Sequence, residues 1–444
     1  MEKKLKMEII HQNAAGIDIG SKSHFVSIGQ QKEDVREFGV YTKDHKEMIE
    51  WLTSAQVATI AMESTGSYWQ TLFSALQTAG FEVLLVNGRD IKNVKGKKTD
   101  VMDCMWIQQL HSLGLLRGSF LPDEHTRQLQ TYYNHRQFLI AQSARYTQKI
   151  QKTLRLMNIR LDVAIKDITG KTGRMIIEAI LDGERIPAKL AELADIRVKK
   201  SKIEIASSLE GEWKDDLMFV LEEYYSIYSS YREKIKKVEI TIESLLNQIS
   251  ECDKNLNPLP KLKKRKKAQK NDPTFNMRPI AWKLLGVDLY QIEGVSHGTV
   301  LCILSKLGDG INKFPSAKHF VSWLRLAPNN KISGGKLISS RTPKGKNQLS
   351  QILRQAANSI GNTKEHPLKD FFNRIAYRKG RGAAITATAR KLATIIYHML
   401  TKKEDFSPDY HDQAEFKRRK KIFLISKQLT KLKLSKEEKS FILG

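Results

Sequence analysis

The sequence is poor in cysteine and contains no long apolar run. Its 444 residues include three cysteines, Cys104, Cys252 and Cys302. They are far apart and match no zinc-ligand spacing, which excludes a disulfide framework and a zinc finger and suits a reducing cytoplasm. No stretch approaches the roughly 20 apolar residues of a membrane helix, and no apolar run follows the charged start at Met1–Lys6. We therefore expect neither a membrane partner nor a signal peptide.

Acidic residues are scarce relative to basic ones. The chain has 48 Asp and Glu against 75 Lys and Arg, which gives a formal net charge of +27 and a pI near 9.7. A positive excess of this size favours a nucleic-acid partner, because each phosphate that a protein neutralises releases a counterion. A lysine-rich composition that only serves solubility is the alternative. The clustering of the basic residues described below weakens it.

The first part of the chain predicts an α/β domain. Apolar and β-branched residues indicate five strands, at Ala14–Ile19, Phe25–Ile28, Val35–Tyr41, Val57–Met62 and Phe81–Val86. Helical spacing indicates three helices, at Lys46–Leu52, Tyr68–Ala79 and Thr99–Leu113. Three strands in a meander, followed by alternating helices and strands, are typical of an RNase H-like fold. We place this domain at residues 1–120.

The next part, residues 121–254, is predicted to be helical. Two long helical runs extend from Glu124 to Leu161 and from Glu212 to Ser250. They predict either an antiparallel arm, as in a coiled coil, or a plain helical bundle packed on the first domain. The pattern alone does not decide between these two arrangements.

The last part of the chain combines basic segments with a helical domain. We predict a linker at 255–286 because it contains the basic run Lys261–Lys270 among several prolines. A mostly helical domain follows at 287–402, in which Ile292–Ser296 and the helix after it resemble a helix-hairpin-helix, a turn suited to phosphate binding. The charged residues 403–444 are predicted to be an accessory tail.

Four carboxylates occupy positions that the predicted fold would bring together. Asp18 interrupts the first apolar strand, Glu63 follows the fourth, and Asp100 and Asp103 lie three residues apart on one helix. Taken singly, each could be a cap or a solvated surface acid. Together they predict a site for Mg²⁺, or Mn²⁺, since hard oxygen ligands prefer these ions. Two such ions can stabilise the attacking and leaving oxygens of an in-line phosphoryl transfer.

The segment Pro328–Ser350 is rich in Gly, Ser and Lys and contains no acid. It predicts a loop that approaches phosphates closely. Ser333 precedes two glycines and becomes a nucleophile only if a base or a metal assists it, because the loop contains no histidine. Ser339 and Ser340 are alternatives to it. The candidate nucleic-acid contacts here and in the basic run are Lys336, Arg341, Lys344, Lys346, Asn347, Lys263, Lys264 and Arg265.

Several blocks of the sequence resemble one known family. The blocks IDIGSKSH (17–24), MESTGSYW (62–69) and GKKTDVMDCMWI (96–107) resemble the three acidic blocks of the DEDD-type transposases, an insertion-sequence family described as bridge-RNA-guided recombinases. The family's C-terminal part is similar to EGVSHGTVLCILSKLGD (293–309), FPSAKHFVSWLRLAP (314–328), SGGK (333–336) and KGKNQLSQILRQAA (344–357). The order and spacing of the blocks make the resemblance specific.

The resemblance implies a RuvC-like domain in which Asp18, Glu63, Asp100 and Asp103 bind Mg²⁺. It also implies that Ser333 attacks a DNA phosphodiester, forms a phosphoserine link and is released by a 3′-hydroxyl. The implied partners are donor and target DNA, an element-encoded guide RNA and further copies of the chain, as a dimer or a tetramer. The segment after Ser333 departs from the Arg-rich pattern of the family, and we expect Lys344 and Lys346 to bind phosphate there.

Three other functions remain open from the residues alone. A RuvC-like endonuclease would hydrolyse DNA with water and would need no serine. An actin-like or sugar-kinase-type ATPase would use Asp18–Lys22 as a phosphate-binding hairpin, but the later glycine-rich loops of such folds are not found before residue 293. A non-catalytic RNA-binding scaffold would have a decayed site, whereas all four acids are present. The leading prediction is a transposase that excises and inserts a mobile element.

Overall fold

The computed structural model describes most of the chain, namely residues 8–91, 99–251, 258–261, 269–345, 347–406 and 422. The chain divides into two compact units, Met1–Leu121 and Pro122–Gly444. Four of the candidate nucleic-acid contacts lie outside the described residues, namely Lys263, Lys264, Arg265 and Lys346. All but five residues of the predicted tail also lie outside them. None of the helices described is long and apolar enough to cross a membrane.

The first unit is a five-stranded mixed sheet with helices on both faces. Its strands are β1 Ala14–Ile19, β2 His24–Ser27, β3 Val35–Phe38, β4 Thr59–Glu63 and β5 Glu82–Val86. Its helices are α1 Thr42–Ser54, α2 Trp69–Thr78, α3 Gly88–Ile91 and α4 Asp100–Ser112, with a 3-10 turn at Lys32–Asp34. The strand order is β3-β2-β1-β4-β5; β1 pairs antiparallel with β2 and parallel with β4. The predicted RNase H-like fold is confirmed.

The two faces of β1 have different roles. Ala15, Ile17 and Ile19 point into an apolar core that they share with α1 and α2. Because side chains alternate along a strand, Gly16 and Asp18 point to the opposite face, where α4 packs. Asp18 is therefore the polar residue of a strand that is otherwise buried, and it lies beneath the first turn of α4.

The second unit begins with two long antiparallel helices. They and the four short helices between them are α5 Glu124–Leu156, α6 Leu161–Ala164, α7 Lys171–Leu181, α8 Pro187–Glu192, α9 Lys202–Ser208 and α10 Asp215–Glu251. Arg136 contacts Glu239 towards one end of the pair, and Tyr146 contacts Tyr224 towards the other. The short helices enclose an apolar core at the turn of the pair. The two helices lie side by side, while a coiled coil stays a prediction.

The segment that follows α10 is held against the long helices. The Arg136 guanidinium lies 2.6 Å from the Glu239 carboxylate, and both side chains are only 2% exposed. Arg136 also donates to the Asn271 carbonyl (2.8 Å), and Thr274 donates to Glu239 through its hydroxyl (2.7 Å). Lys270, at the end of the basic run, pairs with Asp167 at 2.8 Å.

The predicted linker at 255–286 extends too far. Its last part is the helix α11 Met277–Leu285, in which Met277, Ile280 and Leu285 are buried. The prolines that indicated a linker, at 258, 260 and 273, all precede α11. Pro279 lies in the first turn of α11, where a missing N–H costs no helical hydrogen bond. The structure of residues 252–257 and 262–268 lies outside the described residues.

The rest of the second unit is mostly helical. Its remaining helices are α12 His297–Leu307, α13 Ala317–Trp323, α14 Gln348–Asn362, α15 Lys369–Lys379 and α16 Arg381–Lys402, with 3-10 turns at Leu289–Gln291 and Gly310–Lys313. α16 packs against α13, α14 and α15. Ser296 caps α12 by accepting from the Thr299 N–H (3.3 Å), and Gly294 before it has a φ of +91°.

The predicted loop at Pro328–Ser350 is wrong in its first half, which contains a β-hairpin. Strands β6 Lys331–Ser333 and β7 Lys336–Ser339 pair antiparallel around a two-residue turn. Gly334 and Gly335 have φ angles of +53° and +74°. Glycine adopts these left-handed angles without steric cost, and two such residues form the turn that matches the twist of a hairpin. The Gly-Gly pair was the signal for this hairpin in the sequence.

Candidate metal centre and serine hairpin

Three of the four predicted carboxylates come together in the first unit. Asp18 lies near the end of β1, and Asp100 and Asp103 lie on the first turn of α4. One carboxylate oxygen from each residue lies within 4.8 Å of those of the other two. Asp18 and Asp103 are half-buried and Asp100 is exposed, so the cluster is accessible from one side.

The first turn of α4 is fixed by its own capping residue. The Thr99 hydroxyl accepts from the Met102 N–H at 3.3 Å, and the Thr99 carbonyl accepts from the Asp103 N–H at 2.9 Å. A helix N-terminus carries partial positive charge, which favours carboxylates in the first turn. The cap therefore fixes Asp100 as the first residue of α4. With this start, Asp100 and Asp103 lie on the side of the helix that faces Asp18.

Gly16 lets α4 lie directly on β1. A Cβ atom at Gly16 would lie 2.5 Å from the Cys104 carbonyl oxygen and 2.8 Å from the Gln108 Cα. The Gln108 side chain strengthens this contact by donating to the Ala14 carbonyl at 3.1 Å. The sequence prediction missed Gly16, although an isolated glycine in an apolar strand indicates a close backbone approach.

Cys104 lies beside the carboxylates but is not a reactive thiol. Burial raises the pKa of Cys104 to about 12, and the charges of Asp18 and Asp103 also raise it. Its thiol donates to the Val101 carbonyl at 3.1 Å. Since the thiolate is the form that attacks or binds metal, Cys104 packs beneath the cluster as a neutral residue.

Glu63 lies on the same face of the sheet as Asp18 but outside the cluster. Ile17 of β1 pairs with Met62 of β4, so the next residues, Asp18 and Glu63, lie at the ends of adjacent strands. The Glu63 carboxylate is directed at Gly88, where a Cβ atom would overlap it. The fourth predicted acid thus lies on the face that carries Asp18, with its carboxylate turned towards α3.

The donor set of the cluster fits a hard divalent cation. Mg²⁺ binds oxygen at about 2.1 Å in octahedral geometry, so two oxygens on one ion lie at most about 4.2 Å apart. The observed spread of 4.8 Å is close to this limit, and all three donors are carboxylates. A small rotation of the exposed Asp100 side chain would reduce this spread.

Ser333 lies at the tip of the hairpin in the second unit. It is the last residue of β6, it is exposed, and its register partner across the hairpin is Lys336. Residues directly opposite each other in an antiparallel pair present their side chains on one face. A lysine is therefore the neighbour of the candidate nucleophile. Of the alternatives, Ser339 accepts from the Arg341 N–H at 3.4 Å, and Ser340 is exposed.

The four other predicted nucleic-acid contacts that the structure describes lie in the hairpin or in the segment after it, and they have different local roles. Lys336, Arg341 and Lys344 are exposed. The Lys344 carbonyl accepts from Arg325 at 2.5 Å, which fixes the chain after the hairpin. Asn347 is the N-cap of α14 and accepts from the Ser350 N–H at 2.9 Å, so its side chain has a structural role.

The comparison with protein families covers both units. The family model of the IS110-type DEDD transposases, described as "Transposase", matches residues 15–159. The model described as "Transposase IS116/IS110/IS902 family" matches residues 288–373. A search of the curated proteins finds no match. The first match includes the three clustered carboxylates and the second includes the serine hairpin, and together they cover just over half of the chain. The chain therefore belongs to the IS110 family of transposases, which are enzymes that cleave and recombine DNA.

Proposed function

We propose that this transposase excises and inserts a mobile element by cleaving and exchanging DNA strands with two sets of residues. Asp18, Asp100 and Asp103 bind divalent cations, Mg²⁺ or Mn²⁺, and Glu63 joins them when its side chain turns from Gly88. Ser333 is the nucleophile. The observation that carries the proposal is the cluster of three carboxylate oxygens within 4.8 Å of one another in an RNase H-like fold.

The serine chemistry requires one bond to form as another breaks. The Ser333 oxygen forms a bond to phosphorus, the bond from phosphorus to O3′ breaks, and the serine proton passes to a base or solvent while O3′ gains one. A 3′-hydroxyl later attacks the phosphoserine and restores the serine. A divalent cation held by Asp18, Asp100 and Asp103 would supply charge neutralisation for phosphoryl transfer. Lys336, opposite Ser333 in the hairpin, is placed to attract the same phosphate.

The partners in this proposal are donor DNA, target DNA, a guide RNA encoded by the element and further copies of the chain. The net charge of +27 supports a polyanionic partner. Three large apolar side chains of the hairpin, Ile332, Leu337 and Ile338, are 64%, 58% and 68% exposed. Exposed apolar groups beside a catalytic serine support the burial of the hairpin in an oligomer, as a dimer or a tetramer.

The test is the formation of a covalent protein–DNA adduct. The purified chain is incubated with the element's flanking RNA, a labelled DNA junction and Mg²⁺, and the products are separated under denaturing conditions. We expect a labelled adduct with the wild-type chain that is absent with Ser333→Ala and retained with Ser339→Ala and Ser340→Ala. Asp18→Asn should abolish the adduct while RNA binding persists.

The contrary outcomes identify other functions. An adduct that survives Ser333→Ala but not Ser339→Ala or Ser340→Ala moves the nucleophile within the hairpin. Metal-dependent cleavage without any adduct supports hydrolysis by water, as in a structure-specific endonuclease. Loss of RNA binding in Asp18→Asn would show that the substitution disrupts the fold.

A further inference from the structure

A broad groove lies along α15 and α16 in the second unit. Its volume is about 1020 Å³. The residues that follow β7, Ser340 to Thr342, line it together with residues of α15 and α16. The groove therefore begins where the serine hairpin ends.

The edges of the groove are strongly basic. Five cationic side chains line it, and they are Arg341, Arg378, Lys379, Arg390 and Lys391. None of its described lining residues is acidic. None of the five forms an ion pair with the part of the chain that the structure describes. Cations assembled without counter-charges form a site for a polyanion.

The floor of the groove is apolar and has small residues on its helical side. Phe371 and Ile375 of α15 and Ala383 and Ala387 of α16 line the groove and are half-buried. Small residues at these positions leave room for a flat group to approach the helix. A duplex presents only its phosphates and groove edges, because its bases are stacked inside. An apolar floor between basic edges therefore fits a strand whose bases are unpaired.

Lys391, one of the five cations, and Arg374, which does not line the groove, both lie over the Phe371 ring. The Lys391 ammonium lies 5.4 Å from the centre of the Phe371 ring, and the Arg374 guanidinium lies 5.7 Å from it. Burial lowers the pKa of Lys391, and the charge of Arg374 lowers it further. Both cations lie over the ring, and an incoming phosphate would relieve the repulsion between them.

We propose that this groove binds an unpaired DNA strand, with phosphates on Arg341, Arg378, Lys379, Arg390 and Lys391 and with sugars and bases on the apolar floor. The choice of DNA rests on the proposed function, since the groove leads to the hairpin that carries Ser333. The strand bound here would continue from the groove along the hairpin towards the serine. RNA in the groove is the competing outcome of the test.

The experiment measures binding by the full chain in the presence of a chelator, so that no cleavage occurs. Fluorescence anisotropy is recorded with a labelled unpaired 12-nucleotide DNA, the matching duplex and the matching RNA. For Lys379→Gln/Arg390→Gln we expect about a tenfold loss of affinity for the unpaired DNA. The slope of log affinity against log salt should fall by about 1.4, since each phosphate contact to a single strand contributes about 0.7.

The matched control is Lys318→Gln/Lys364→Gln. It removes the same charge from two exposed lysines of the second unit that do not line the groove. Its affinity for unpaired DNA should stay within about twofold of wild type, since only diffuse attraction is lost. Equal losses in the two variants, or an equal loss on duplex and unpaired DNA, would overturn the proposal. Preferential loss on RNA would assign the groove to RNA.

The outcome is separable from that of the proposed function. Ser333→Ala should bind the unpaired DNA as wild type does, because Ser333 does not line the groove. If no adduct ever forms but the groove variant still loses unpaired DNA selectively, the groove stands and the serine mechanism fails. If the adduct forms but the groove variant binds unpaired DNA as wild type does, the serine mechanism stands and the groove proposal fails.

Discussion

The substitution Gly16→Ala should separate the candidate metal ligands without unfolding the chain. The added methyl group would lie 2.5 Å from the Cys104 carbonyl oxygen, whereas ordinary contacts of Cβ atoms begin at 3.4 Å. The obstacle is the backbone of α4, so no side-chain rotation can make room. The helix must move away from β1 by about 1 Å, and overpacking of this kind costs about 1–3 kcal/mol.

The movement takes Asp100 and Asp103 away from Asp18. A displacement of about 1 Å in a catalytic arrangement can lower a rate by about 10²-fold. We therefore expect Gly16→Ala to weaken Mn²⁺ binding and to reduce metal-dependent DNA cleavage by about that factor. The melting temperature should fall by several degrees, since a loss of about 1 kcal/mol lowers that of a domain of about 100 residues by about 4 °C or more, while the chain stays folded at room temperature.

Two assays check this expectation on the same samples. Mn²⁺ binding is measured by titration calorimetry, and the fold is measured by circular dichroism during heating. The control is Gly298→Ala on α12, where an added Cβ would meet only the Ser296 hydroxyl at 3.7 Å. Wild-type metal affinity and cleavage in Gly16→Ala would refute the argument that the close approach of α4 to β1 aligns the carboxylates.

Two further predictions concern stability. Arg136→Met leaves Glu239 buried and without its ion pair, so the free energy of unfolding in urea should fall by about 3–5 kcal/mol. The control Arg127→Met, which removes a pair with the exposed Glu124, should lower it by less than about 1 kcal/mol, and similar losses in the two variants would contradict this. Burial, with a smaller effect of neighbouring histidines, lowers the pKa of His24 and of His111 to about 4 from the ordinary 6.5. The unfolded chain therefore binds more protons below pH 6.5, so stability should be constant above pH 7 and should decrease from pH 6.5 towards pH 4. Urea midpoints at pH 7.5 and pH 5 measure the difference, and equal midpoints would show that these rings titrate normally in the folded chain.

The fold of the first unit was predictable because its signals are local. The strand Ala14–Ile19 was predicted with the bounds that the structure shows, since apolar residues surround a single acid there. The prediction that β1 and β4 are neighbours followed from the order of strands and helices along the chain, because few sheet topologies are compatible with that order.

The details of the site were less predictable because they depend on packing. The sequence placed Glu63 at the end of β4, but the direction of its carboxylate depends on Gly88 of a later helix. Gly16 has its role only because α4 lies on it. The basic groove joins Arg341 to residues of α15 and α16 about 40–50 positions later, and no local pattern indicates that they meet.

The carboxylate cluster also has a consequence for the folding of the first unit. Its members come from a strand and from a helix that meet only after tertiary packing, since Asp18 and Asp100 are separated by most of the domain. Three negative charges within 4.8 Å repel one another and oppose that packing. A cation that binds all three carboxylates turns this repulsion into a net attraction. Because the cation binds the folded state and not the unfolded chain, its binding stabilises the fold. The same ions that serve the chemistry would then hold α4 in place, and the first unit would become more stable as divalent cation concentration rises.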